Sequence, residues 1–219
     1  MLGTPNNEPV WPLFDLRLTC NETVLRPVRE TDLNELARIL PDDYEHDPNS
    51  SLWHGLDLAS NRRRLLFQNY WRDWATWSVD SWTLNFCVLY QNQIVGVQAL
   101  EAEHFVELRT VDSSSWLTTE YRGVGLGISM RIAILGFAFD HLGALAAITS
   151  ARPENAASLG VSRRVGYLDN GVSTSRSPSG PCQLQHMRLT RAHWRENSLG
   201  DAVIVTGLNG CALYFGMEL

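Results

Sequence analysis

The sequence predicts an α/β fold: one domain with a mixed sheet of about six or seven strands and helices packed on it. Three observations carry that expectation. Trp82, Leu84, Phe86, Val88 and Tyr90 alternate without a gap, the period of a half-buried strand, and Gln91-Asn92-Gln93 turns the chain back into Ile94 to Leu100 as a hairpin partner. Ser60 to Trp77 and Gly127 to His141 carry apolar residues at helical spacing instead. Between the strand-like Val106 to Leu117 and the second of those helices stand three glycines at alternate positions, Gly123, Gly125 and Gly127. No internal repeat and no linker divides the chain.

Taken in order, residues 1–12 are rich in Pro, Asn and Gly and predict a loose arm. Leu16 to Val28 is strand-like with a charged break. Asp32 as cap with Glu35 three residues on marks a helix start; Leu33, Leu36, Ala37 and Leu40 supply its apolar face and Pro41 ends it. Pro41 to Leu58 is polar and irregular. Its Asp42, Asp43, Glu45, His46 and Asp47 lack metal-ligand spacing and predict a solvated acidic loop. In Ser60 to Trp77, Leu66, Tyr70, Trp74 and Trp77 fall on one stripe, and the aromatic density (Trp71, Trp74, Trp77, Trp82) predicts core packing. Gly127 to His141 carries two apolar stripes and so is expected to be buried on more than one side. Leu145 to Ala151 is a further strand, Gly171 to Pro181 a Ser/Pro/Gly-rich loop, Gln183 to Leu189 a late strand, and Ala202 to Thr206 another.

Composition narrows the function classes. At 219 residues, 44% hydrophobic and 19% charged, the chain suits one globular domain with a full core. A net charge of -6 argues against a nucleic-acid partner, which shows a basic patch or stripe. Cys20, Cys87, Cys182 and Cys211 form no Cys-x-x-Cys pair, so free buried thiols are expected rather than a disulfide framework or a metal site. With no basic-then-apolar leader and no apolar run of membrane length, a cytoplasmic protein is expected, with no membrane partner.

The glycine turn carries the chemistry. Glycine lets the main chain approach a ligand closely, and the first turn of a helix points unpaired N–H groups, backed by the helix dipole, at one place. Such a turn suits a diphosphate. A P-loop would need Gly-Lys-Ser/Thr, and there is no lysine here. A dinucleotide fingerprint would need a third glycine at Ile128 or Met130. What fits is Arg-x-x-Gly-x-Gly, as Arg122, Gly125 and Gly127, inside Tyr121-Arg122-Gly123-Val124-Gly125-Leu126-Gly127. This resembles the coenzyme A pyrophosphate loop of the GNAT N-acetyltransferases. Downstream, Asn155-Ala156-Ala157-Ser158, Val161 and Val165-Gly166-Tyr167 resemble the second signature of that family, an Asn-opened helix ending in Gly-aromatic. With Ser115-Trp116-Leu117 ahead of the loop, the resemblance is closest to the RimJ/RimL-like branch, in its actinobacterial members, and covers Leu16 to Leu189.

The resemblance implies a GNAT-like acyl-CoA N-acyltransferase fold with a central twisted, mostly antiparallel sheet. It would span residues 13–190, with 191–219 as an extension on the same domain. It implies acetyl-CoA as cosubstrate, with coenzyme A as product, and an amine-bearing small molecule, a lysine or a protein N-terminus as acceptor. Members occur as monomers and as homodimers. The coenzyme would be held by backbone amides of Arg122, Gly123, Val124, Gly125, Leu126 and Gly127, by the strand end Trp116, Leu117 and Thr118, and by Asn155 and Ser158. Many members place a Tyr seven residues after the Asn. Here that slot is Ser162, so Ser158 is the candidate hydroxyl for the leaving thiolate, or else a helix hydroxyl bonded to its own backbone. Base candidates are Glu101, Glu103, Glu107 and Asp112, with His104 and His186 behind; Asp112 shares a strand face with Ser114 and Trp116 and is the first choice. In this fold the Trp-rich helix also borders the acceptor cleft. The missing Tyr leaves a second reading, a non-catalytic acyl-CoA-binding module.

Overall fold

The computed structural model describes residues 10–177, 180–197 and 199–217. In chain order the strands are β1 (Arg17–Cys20), β2 (Thr23–Pro27), β3 (Trp82–Tyr90), β4 (Gln93–Ala102), β5 (Thr110–Leu117), β6 (Ala146–Ala151), β7 (Leu168–Ser177), β8 (Gly180–Thr190) and β9 (Val203–Thr206). The helices are α1 (Leu33–Ile39), α2 (Leu58–Ala75), α3 (Phe105–Leu108), α4 (Leu126–Gly136), α5 (Ala156–Val165) and α6 (Arg191–Glu196). The strands form one sheet in the order β7-β8-β6-β5-β4-β3-β2-β1-β9. Only β5 and β6 run parallel; all other neighbours are antiparallel.

Two layers cover the sheet. On one face α1 and α2 pack through Leu33, Leu36 and Tyr70 on Cys87 and Val97. On the other, α4 lies across β1, β2 and β4, and Met130, Ala133, Ile134 and Leu135 are all buried. That helix continues through one wider turn, Phe137–His141, which is also largely buried. Its burial on several sides follows from its two apolar stripes.

Several elements depart from the sequence expectations, each for a physical reason. The sheet has nine strands among the described residues, not six or seven. The charged break in Leu16 to Val28 is a turn: Asn21 takes φ 53° and splits the run into the β1–β2 hairpin. Gly171 to Pro181 is mostly strand rather than loop. The β7–β8 hairpin stands at the sheet edge with both faces of β7 exposed, so it has no apolar alternation to reveal it. Val106 to Leu108 belongs to α3, between His104 and Arg109 in the left-handed region, and the strand starts at Thr110. Asp32 does not cap α1 with its side chain. It is held by Arg26 at 2.6 and 2.8 Å and by the Arg29 amide at 2.8 Å. Of the predicted arm, residues 1–9 lie outside the described residues, and Trp11 is no loose segment: its ring packs edge-on to Trp74 at 5.7 Å. Trp74, Trp77 and Trp82 form a stacked row (5.8 and 5.7 Å) closed by Phe215, so these rings are core, whereas Trp71, expected with them, is exposed and donates to Glu30. Among the described residues no helix is long and apolar enough to cross a membrane. Cys20, Cys87 and Cys211 are buried free thiols and Cys182 is a half-buried one.

Candidate active site

The site begins where two parallel strands part. β5 and β6 pair only at Thr110–Asp112 with Ala146–Ile148. Beyond that, β5 stays with β4 as far as Leu117 opposite Gly96, while β6 follows β8 to Ala151. The Thr149 hydroxyl donates to Ser113 O at 3.1 Å in the crotch of the fork. Past it, the β5 edge facing β6 has no strand partner among the described residues.

At the end of β5 a short turn, Thr119–Tyr121, leads into the glycine segment and α4. The Tyr121 amide donates to Thr118 O (3.1 Å) and that of Arg122 to Thr119 O (3.3 Å). The next five amides, Gly123 to Gly127, have no acceptor among the described residues; bonding resumes with Ile128 and Ser129, both to Gly125 O. Gly123 and Gly125 take φ 77° and 93°, and a Cβ on either would meet nothing within 4 Å, so the segment faces open space. Gly127 has a different role: a Cβ there would sit 3.3 Å from Val161, at the packing of α4 on α5. Five unpaired donors at a helix start form an anion cradle, and the residues present fit a diphosphate.

Two members of the predicted coenzyme set are engaged elsewhere. The Arg122 amide is already bonded, and its guanidinium grips Asp43 with two bonds (2.6 and 2.8 Å) while Nε donates to Leu117 O at 3.1 Å. The Thr118 amide donates to Val95 O at 2.9 Å, which removes it from the open edge. Leu117 is buried, and Trp116 lies on the α1–α2 face with its ring 6.2 Å from Tyr44. Asn155 caps α5, its Oδ1 accepting from the Ser158 amide at 3.0 Å. The Ser158 hydroxyl has no partner among the described residues, so it is not spent on its own helix; Ser162 is buried.

On the face of the sheet covered by α2 the structure gathers carboxylates. Glu101 on β4 stands directly across from Asp112 on β5. The Ser114 hydroxyl donates to Glu101 at 3.0 Å, and Asp112 accepts from the Ser113 amide at 2.6 Å. Buried Asp73 of α2 accepts from Asn85 at 2.8 Å. Burial pushes all three carboxyl groups above the usual range, and Asp112 adds to the shift of Glu101. Tyr44 lies beside this group, with its ring near Trp116; burial, then Glu101, push its phenol up, so it stays a neutral O–H donor. Glu103, His104 and Glu107 are exposed at the α3 end, with His104 on Asp80 at 3.0 Å, and take no part. His186 sits on β8 opposite Ser150, bonded to Ser173, with β6 between it and Asp112.

Tyr44, Asp73 and Arg152 are the site residues that sequence spacing missed. Tyr44 lies in the loop read as solvated and acidic, yet two of that loop's carboxylates are paired: Asp43 with Arg122, and Glu45 with Arg152 at 2.9 Å. Nothing in local periodicity marks a loop residue that lands on a distant strand.

The sequence profile of the acetyltransferase (GNAT) domain matches residues 22–168, more than half of the chain. The chain belongs to the GNAT acetyltransferase family. Solved structures agree on the fold. Mycobacterium smegmatis RimJ in complex with CoA-disulfide is 17% identical, with TM-score 0.65 over 85% of this chain and 96% of that one. A spermidine N-acetyltransferase SpeG chimera from Vibrio cholerae and hSSAT is 15% identical, with TM-score 0.63 over 80% and 99%. A GNAT-family acetyltransferase from Bacillus anthracis is 14% identical, with TM-score 0.63 over 80% and 99%. At these identities the likeness speaks for the fold: a mixed α/β domain with a mostly antiparallel sheet flanked by helices.

Proposed function

We propose that the chain is an acetyl-CoA-dependent N-acetyltransferase that passes the acetyl group directly to a primary amine within a ternary complex. The carrying observation is the run of unpaired amides from Gly123 to Gly127 beside the open edge of β5. In this reading those amides hold the coenzyme diphosphate. Ser114 to Trp116 offer main-chain groups to the pantetheine arm, and an N–H there polarises the thioester carbonyl. Asn155 and Ser158 lie along the same arm, and the unspent Ser158 hydroxyl donates to the departing thiolate.

Glu101 and Asp112 take the base role between them. Two carboxyl groups held side by side and partly buried shift their titration toward neutral pH, where a base works best. Their charge also suits an amine that arrives as a cation. The structural neighbours include a Vibrio cholerae protein described as a ribosomal-protein-serine acetyltransferase and a spermidine acetyltransferase, so both a protein amine and a small amine stay within the acceptor class. The test is thiol release on mixing the protein with acetyl-CoA and an amine panel that includes peptides and polyamines. Turnover above the no-amine rate is expected. Coenzyme A binding without turnover for every amine would replace this reading with the non-catalytic acyl-CoA-binding module.

A further inference from the structure

Three consecutive residues of the loop between α1 and α2 tie across the mouth of the fork. Asp43 takes the guanidinium of Arg122, which is itself anchored on Leu117 O at the end of β5. Glu45 takes Arg152, the first residue after β6. Tyr44, between them, lies against Trp116 of β5. One carboxylate therefore reaches each bank of the gap, and the aromatic ring between them packs on the β5 bank. The other side of the loop is fixed by α2. Asn61 bonds Trp53 N and O and Leu56 O, Arg62 donates to Asp42 O, and Arg64 donates to Ser51 O at 2.6 Å. The segment is thus clamped by backbone carbonyls on its helix side and by side-chain carboxylates on its fork side.

An arginine in a diphosphate loop invites the role of phosphate ligand. The geometry points elsewhere. We infer that Arg122 and Arg152 are positioning residues for the acceptor: through Asp43 and Glu45 they hold Tyr44 over Trp116, and so shape the amine pocket above Glu101 and Asp112. The inference rests on the acetyltransferase reading for what the pocket receives, but not for the strap itself. The Asp43–Arg122 pair is solvent-exposed, the Glu45–Arg152 pair is half-exposed, and each alone is worth little; the bidentate geometry at Arg122 and the two-point attachment of one short segment make them act together.

The test uses the carboxylate side, which leaves the glycine segment intact: Asp43→Asn, Glu45→Gln and the double variant. For the double variant the acceptor KM is expected to rise about fivefold, with coenzyme A affinity by calorimetry within about twofold of the parent. Chymotryptic cleavage after Tyr44 and Trp53 should quicken by a similar factor, since the two ion pairs are the polar attachments of Asp43 and Glu45 to the fork and the Tyr44–Trp116 contact depends on them. The exchange Glu45→Arg with Arg152→Glu should restore both readouts that either single change impairs. Tighter coenzyme A binding in Asp43→Asn, with acceptor KM unmoved, would overturn the inference by returning Arg122 to the diphosphate. So would unchanged proteolysis in the double variant. If the parent acetylates no amine, the functional reading fails, while proteolysis and calorimetry still judge the strap.

Discussion

Replacing Gly125 tests the anion cradle most directly, and two substitutions separate its two costs. With φ at 93°, any L side chain at this position is strained by about 1–2 kcal/mol. No heavy atom lies within 4 Å of the Cβ position, so overpacking adds nothing. Gly125→Ala should therefore lower the unfolding free energy in urea by that amount. Gly125→Glu carries the same strain and adds a carboxylate among amides Gly123 to Gly127. A like charge about 5 Å from a phosphate at an effective dielectric near 20 costs roughly 3 kcal/mol, more than a hundredfold in Kd. Calorimetry of coenzyme A against both variants, at a urea-verified folded fraction, reads the difference. A folded Gly125→Glu protein that binds coenzyme A as the parent does would refute the cradle.

At Gly96 an added Cβ would come within 2.2 Å of Trp116 O, a rigid backbone neighbour, so Gly96→Ala should cost about 1–3 kcal/mol by forcing β4 from β5, measured as a shift of urea midpoint. Glu101, Asp112 and Asp73 have raised carboxyl pKa values, so the folded state favours their protonated forms; the stability they lend is full below the ordinary carboxylate range and fades as pH climbs through the raised values. Asp112→Asn and Glu101→Gln should accordingly stabilise the protein at neutral pH by about 1 kcal/mol while depressing turnover, and urea melts from pH 4 to 8 should show a flattened slope. Ser158→Ala should lower kcat about tenfold with coenzyme affinity unchanged; unaltered kcat would remove its part in thiolate release.

What the chain disclosed before folding depended on how local the signal was. β3 was legible to the residue because its alternation is uninterrupted, and the cradle because three glycines and a helix start lie in one short segment. Asp112, Ser114 and Trp116 were correctly grouped because they share one strand's pleat. The side-chain partner of Arg122 was not legible, for the opposite reason. The arginine's motif is local, but its partner Asp43 is 79 residues away. Tyr44 and Asp73 join Glu101 only through tertiary packing, and neither position carries a pattern of its own. β7 went unseen, although Gln183 to Leu189 of its partner β8 was read as a strand, because a strand exposed on both faces has no buried side to write into its sequence.

The meeting of residues near positions 10 and 215 has a consequence for when the aromatic core is covered. Tyr214 donates its hydroxyl to Val10 O and packs against Trp11, and Phe215 seals the tryptophan row against Trp82. β9 likewise completes the sheet beyond β1. A chain that has not yet acquired residues 212–215 would hold most of the sheet yet leave those indoles uncovered. A truncation near position 210 would leave the tryptophan row without that cover and so favour self-association.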